Sequence, residues 1–193
     1  MYVDGINLRR IARHLGVNHQ SVANWAKTHA DELPTAPVPE KVENVEKDEL
    51  FTFIGDKKNR ICIITIVDRK TRCILGWVVV WERTQETIQL MVDDAPKSKW
   101  YFSDGFKAYG CLWYHYGRYE VSEGKNDTYS IEGDNSKLRH YLTRLARRSR
   151  CTSYCPYALQ CTLKLLVFAF NRRQLHKQAF PNYQAHLKDV IYP

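Results

Sequence analysis

Apolar positions recur at helical spacing at the start of the chain, where Leu8, Ile11, Ala12 and Leu15 fall at i, i+3, i+4 and i+7. Gly16 closes that helix. Val17-Asn18-His19-Gln20-Ser21 opens a second one, whose Val22, Trp25 and Ala26 are expected to face the first. Two short helices joined at a glycine form the helix-turn-helix pattern, with a plain helical hairpin as the alternative. Residues 31–47 carry Pro34, Pro37 and Pro39 and read as an extended linker. From Asp48 the period changes. Segments 49–55, 60–67 and 73–81 are rich in Phe, Ile, Val and Thr, and charged turns too short for a crossover separate them, so they predict an antiparallel meander. Thr84 has N-cap chemistry and begins a helix with Ile88, Met91 and Val92 on one face, stopped before Pro96.

The strand predicted at 99–103 follows that crossover helix and is expected to lie parallel to the first strand. A short helix over 105–116 and a strand over 119–122 come next. After a polar loop, Ile131, Leu138, Leu142 and Leu145 outline a long amphipathic helix to about Arg150, and an apolar helix over 157–178 completes the order. The expected fold class is therefore α/β: a mixed five-stranded sheet flanked by helices and preceded by a small helix-turn-helix segment. The expected units are a helix-turn-helix segment at 1–30, a linker at 31–47 and a main domain at 48–193. The first has little room for a supporting helix and reads as incomplete.

Composition changes this picture mainly through charge. The 193 residues carry a formal net charge of +8, which implies a polyanionic partner, and nucleic acid is the commonest. The basic residues cluster. Arg9, Arg10 and Arg13 stand where a helix-turn-helix meets phosphates, and Asn18, His19, Gln20, Ser21 and Asn24 are donor and acceptor types suited to base edges. Arg139, His140, Arg144, Arg147, Arg148 and Arg150 crowd one helix without interleaved acids; they read as a DNA-backbone clamp, or as a solvated face. The six cysteines form no small secreted disulfide framework and are read as reduced. Cys151, Cys155 and Cys161 raise zinc only weakly, since they lack a CxxC pair. No opening signal segment is evident and the longest apolar run, 163–170, is far too short to span a membrane, so a cytoplasmic protein is expected.

The candidate chemistry is acidic. In Trp100 to Tyr109 an apolar strand runs directly into Asp104, at the strand end where α/β proteins place their sites, although Ser103-Asp104-Gly105 also has turn composition. Asp48 precedes or opens the first strand, and Glu132 opens the long helix with Asn135, Ser136 and Arg139 on its face. Glu132 also has a simpler reading, as favourable charge at a helix N-terminus. If the three carboxylates converge, they suit Mg²⁺, a hard ion that takes oxygen ligands and supports in-line phosphoryl displacement. Asp68 also ends a strand, but at the opposite edge, and reads as a turn residue.

Four blocks of residues resemble one family. These are Asp48-Glu49-Leu50-Phe51-Thr52-Phe53-Ile54-Gly55, Glu82-Arg83-Thr84 with Thr87, Ser103-Asp104-Gly105 with Tyr109, and the long run from Ile131 to Ser149. Together they are similar to the transposase of the insertion sequence one family over roughly residues 48–155, and the helix-turn-helix is similar too. Phe51 stands where that family usually has Trp, Ser103 where Thr is usual, and its Cys-rich amino-terminal zinc segment is not found here.

The resemblance implies an RNase H-like fold and a catalytic, metal-holding triad of Asp48, Asp104 and Glu132. It further implies Mg²⁺ as cofactor, with Mn²⁺ as a substitute, and cutting and joining of DNA at terminal inverted repeats and target DNA. The DNA-binding set it extends to is Asn135, Arg139, Arg144, Arg147 and Arg148. A homo-oligomer on DNA and a nucleoid location belong to the same expectation. A non-catalytic DNA-binding protein, the remnant of a truncated element, or a nuclease without strand transfer are the competing readings.

Overall fold

A computed structural model describes residues 1–3, 6–122, 139 and 153–182. Five strands form one sheet: β1 (Asn44–Phe53), β2 (Arg60–Asp68), β3 (Ile74–Val80), β4 (Trp100–Ser103) and β5 (Arg118–Val121). Their spatial order is β3-β2-β1-β4-β5. β2 runs antiparallel to both its neighbours, while β4 is parallel to β1 and β5 to β4, so β2 alone is reversed. This is the expected α/β architecture, an RNase H-like mixed sheet flanked by helices.

Each face of the sheet buries its own core. On one, Val45, Cys62, Ile64 and Ile66 pack with Ile88, Met91 and Val92 of α3 (Gln85–Asp94) and with Tyr109 of the single-turn α4 (Lys107–Gly110). On the other, Leu50, Ile54, Ile61 and Ile63 pack with Leu159, Leu163, Leu166 and Val167 of α5 (Pro156–Ala179). Two cores are what alternation along a central strand requires when both faces are covered. The Thr84 hydroxyl accepts from the Thr87 N–H, capping α3 as its sequence predicts.

Asn171, fully buried on α5, serves the outer edge of this sheet. Its side chain accepts from the Ile74 N–H at 2.8 Å and donates to the carbonyls of Ile74 and Pro37 at 2.8 and 2.9 Å. One amide thus joins α5, the start of β3 and the proline segment.

The amino-terminal helices are α1 (Leu8–Leu15) and α2 (His19–Glu32), turned at Gly16, whose φ of 67° suits glycine. Ile11, Ala12 and Val22 form their seam. Leu15 and Trp25, expected in it, are exposed. The reason is a second packing partner: α2 lays Ala26, Ala30 and Leu33 against Cys161 and Leu165 of α5, which leaves Trp25 outside both contacts. Hydrogen bonds from Tyr2 to Thr162 and from Tyr157 to Asp31 fasten the hairpin there.

Two boundaries differ from the sequence pattern. β1 begins at Asn44, inside the expected linker, so Asp48 is the fifth residue of a ten-residue strand and not its opening. The charges of Glu46 and Lys47 conceal this start, because both are buried with partners of their own. The helix expected over 105–116 is only Lys107–Gly110, and the chain then turns through left-handed residues at His115 and Tyr116. Residues 123–138 and 140–152, including the expected helix of Glu132, lie outside the described residues. Among the described residues no helix is long and apolar enough to cross a membrane.

Candidate active site

The ladder between β1 and β4 places the first two acids. It pairs Asn44 with Trp100, Val45 with Tyr101 and Glu46 with Phe102, and then β4 ends. Continued by two residues, the same register sets Asp104 beside Asp48, with both side chains on the same face by alternation. Neighbouring strands lie about 4.8 Å apart, so this extension of the register would leave the two carboxylates near one another. Glu132 falls outside the described residues, as do Asn135, Arg144, Arg147 and Arg148; Arg139 is helical and half-buried.

The turn after β4 holds Asp104 outward. Gly105 adopts φ 84°, and the Asp104 side chain accepts from the Phe106 N–H at 3.3 Å. Ser103 is buried and its hydroxyl bonds Tyr119 on β5. Asp104 is exposed and makes no ion pair among the described residues, although the chain is strongly basic. Asp48 is half-buried and its Oδ1 accepts from the Glu49 N–H at 2.7 Å.

The neighbouring acids on β1 are committed differently. Glu46, on the same face as Asp48, pairs with Arg69 and lies 3.7 Å from Arg72. Arg69 stacks on Phe102 at 3.8 Å, tying the end of β2 to β4 across β1. Glu49, on the opposite face, receives Arg83 at 2.7 Å and the Tyr109 hydroxyl at 2.9 Å. Burial first, and then the charges of Glu49 and Asp104, push the Tyr109 phenol far up, so it stays a hydrogen-bond donor. The Cys62 thiol is pushed up to about 12, mainly by burial, with Glu49 and Asp48 adding to the shift.

Lys47 is the residue that sequence pattern missed most completely. It is buried, donates to the Tyr114 hydroxyl, and sits 4.1–5.8 Å from the ring centres of Tyr101, Tyr109, Tyr114 and Tyr119. Burial lowers its pKa to about 7, while four ring faces favour its cation. The signal was present as four tyrosines around β4 and β5, too many for an apolar core alone. This cage braces the side of β1 opposite Asp48.

Asp68 ends β2 and is buried in a turn, accepting from the Thr71 N–H and hydroxyl, as its composition suggests. Among the described residues no group of three His, Cys, Asp or Glu side chains is arranged to hold a metal. Cys155 is exposed and Cys161 packs against Ala30 and Leu165; Cys151 is outside the described residues. In the amino-terminal hairpin Arg9, Arg10, Arg13, His19, Gln20 and Asn24 are exposed and Ser21 is half-buried. Asn18 caps α2 by accepting from the Gln20 N–H, and Gln20 donates to Asn24.

No curated protein sequence matches the chain. Among solved structures, one similar chain belongs to a simian T-cell lymphotropic virus intasome in complex with the PP2A regulatory subunit B56 gamma. It is 13% identical, with a TM-score of 0.44, and the match covers 97% of this chain and 71% of that one. A profile of the IS1 transposase family matches residues 42–157, from just before β1 into α5. That span is more than half of the chain and contains both aspartates, so the chain belongs to the IS1 transposase family.

Proposed function

We propose that this protein is a DNA transposase that cuts and joins DNA strands at element ends through a carboxylate site made of Asp48, Asp104 and Glu132. The observation that supports the reading is the β1–β4 register, which ends at Glu46 opposite Phe102 and, extended by two residues, would bring Asp48 level with Asp104. The donor set fits Mg²⁺, since its oxygens are hard and Asp104 has no cationic partner among the described residues. When bound, Mg²⁺, or Mn²⁺ in its place, supplies Lewis acidity to the attacking and leaving oxygens of an in-line phosphoryl displacement.

The protein's own part is placement. Glu49 joins Arg83 and Tyr109, and so fixes β1 against α4 directly after the Asp104 turn. Arg69, stacked on Phe102 and paired with Glu46, holds the two aspartate-bearing strands in register. Glu132 is the third acid in this reading. One site of this kind serves both steps: water attacks the phosphodiester, and the freed 3′-hydroxyl then attacks target DNA.

In the same reading α1 and α2 act as a helix-turn-helix. Arg9, Arg10 and Arg13 meet phosphates, and His19, Gln20, Ser21 and Asn24 approach base edges, while Asn18 caps the helix that carries them. Asn135, Arg139, Arg144, Arg147 and Arg148 hold the DNA backbone beside the acids. The partners are the inverted repeats at element ends, target DNA and further copies of this chain.

Asp104→Asn tests the reading. Mg²⁺-dependent strand transfer is expected to fall by roughly a thousandfold or more, with duplex affinity nearly unchanged. Undiminished transfer in that variant removes Asp104 from the site.

A further inference from the structure

A cleft of about 400 Å³ opens on the Glu49 face of the sheet, lined by Phe51, Arg60, Cys62, Trp81, Arg83 and Phe106 among others. Its volume is that of a small-ligand site. Its chemistry is aromatic and cationic together. Arg60 lies 3.7 Å from the centre of the Phe51 ring, and Arg83 lies 4.0 Å from that of Phe106. Trp81, just past the end of β3, is 54% exposed, far more than a ring this large would be if its role were packing.

The two arginines are not equivalent. Arg83 is neutralised by Glu49, whereas Arg60 makes no ion pair among the described residues. The cleft therefore has one cation available to an anion. Glu82 at its rim repels an anion from that side and restricts a phosphate to the side of Arg60. The wall made by Phe106 is linked to the site, because the Phe106 N–H is the donor to Asp104.

We propose that this cleft receives an unpaired nucleotide of the DNA substrate, its base stacked on Trp81 and its phosphate held by Arg60. A ring-lined concavity with a single available cation suits one splayed nucleotide, since every base offers a π-face and one negative charge accompanies it. A base still paired within a duplex cannot present its face to Trp81. The effect would be to hold a nucleotide out of the stack next to the Asp104 turn. The proposal rests on the reading of the protein as a DNA-acting enzyme, but it makes no use of metal or of bond cleavage.

The test uses the full chain without metal, with a short single-stranded oligonucleotide carrying one 2-aminopurine and a blunt duplex of equal length. Quenching of the probe by the wild-type protein is expected. Trp81→Ala should weaken single-strand binding by ~10-fold and leave duplex binding within ~2-fold, and Trp81→Phe should restore most of the loss. Arg60→Gln should lower the salt dependence of single-strand binding by about 0.7 in log–log slope. Absent quenching, an unchanged affinity in Trp81→Ala, or an equal loss on both DNAs would each overturn the proposal. Asp48→Asn should bind the probe like the wild type. If that variant also remains active in strand transfer, the catalytic reading fails while the nucleotide cleft stands.

Discussion

β1 meets its two neighbours unequally. Against β2 it is laddered along nearly its whole length, from Val45 opposite Asp68 to Phe53 opposite Arg60. Against β4 the ladder runs only from Asn44 to Glu46. On the long side the partner strand is apolar and almost continuously buried, Ile61 to Val67, and stabilises the fold. On the short side the sheet stops early, and acids, arginines and a caged lysine gather where it stops. A ladder carried to full length would enclose Asp48 between two strands. In the proposed reading the missing pairs leave the phosphate and its ions their place, so stability and chemistry fall on opposite sides of one strand.

That division can be challenged first on its stable side. Asn171→Leu removes every bond the amide makes to Ile74 and Pro37 and leaves those backbone groups buried without partners. The expected loss is about 3 kcal/mol in urea unfolding, from unsatisfied buried groups. The variant that still folds should keep the response of the aspartate site to metal. A loss below about 0.5 kcal/mol would show that the β3 edge does not depend on this clamp.

The other side predicts a pH dependence. The pKa of Lys47 falls from 10.5 in the unfolded chain to about 7 in the fold. Between these values the unfolded state binds the extra proton, so the contribution of Lys47 to stability should rise as pH increases from about 7 toward 10. Below pH 7 both states are protonated and the penalty is constant. Tyr101, Tyr109 and Tyr114 act in the opposite sense above pH 10, because burial raises each of them and the unfolded chain ionises first. Cys62 and Cys73 act in that same sense from about pH 9, because burial raises both thiols, so urea unfolding should pass through a maximum near pH 9, with the rise from neutral pH belonging to Lys47. Lys47→Met should abolish the rise. A rise that persists in Lys47→Met would assign it to other groups.

How much of this was legible in the sequence follows the same division. The apolar strands β2 and β3, the Thr84 cap, the crossover to β4 and the turn at Gly105 all announce themselves through periodicity or cap and turn chemistry, which act locally. Asp104 stands out as a candidate for that reason, since it lies where an apolar run ends. The start of β1 was hidden, because Glu46 and Lys47 read as linker until Arg69, Arg72 and the four tyrosines arrive from distant segments to neutralise them. Asn171 and the exposure of Trp25 were equally invisible, since both depend on how α5 docks. The cleft beside Phe106 requires Phe51 from β1, Arg60 from β2 and Trp81 from just beyond β3, and no spacing along the chain encodes that meeting.

The central claim is that Asp48 and Asp104 form one metal-holding unit. It is tested most directly by Mn²⁺ titration, followed by electron paramagnetic resonance, of the wild type, Asp48→Asn, Asp104→Asn and the double variant. Each single change should weaken binding by about 10–100-fold and the double change little further, the signature of coupled ligands. Losses that simply multiply, or tight Mn²⁺ binding with both carboxylates gone, would contradict it.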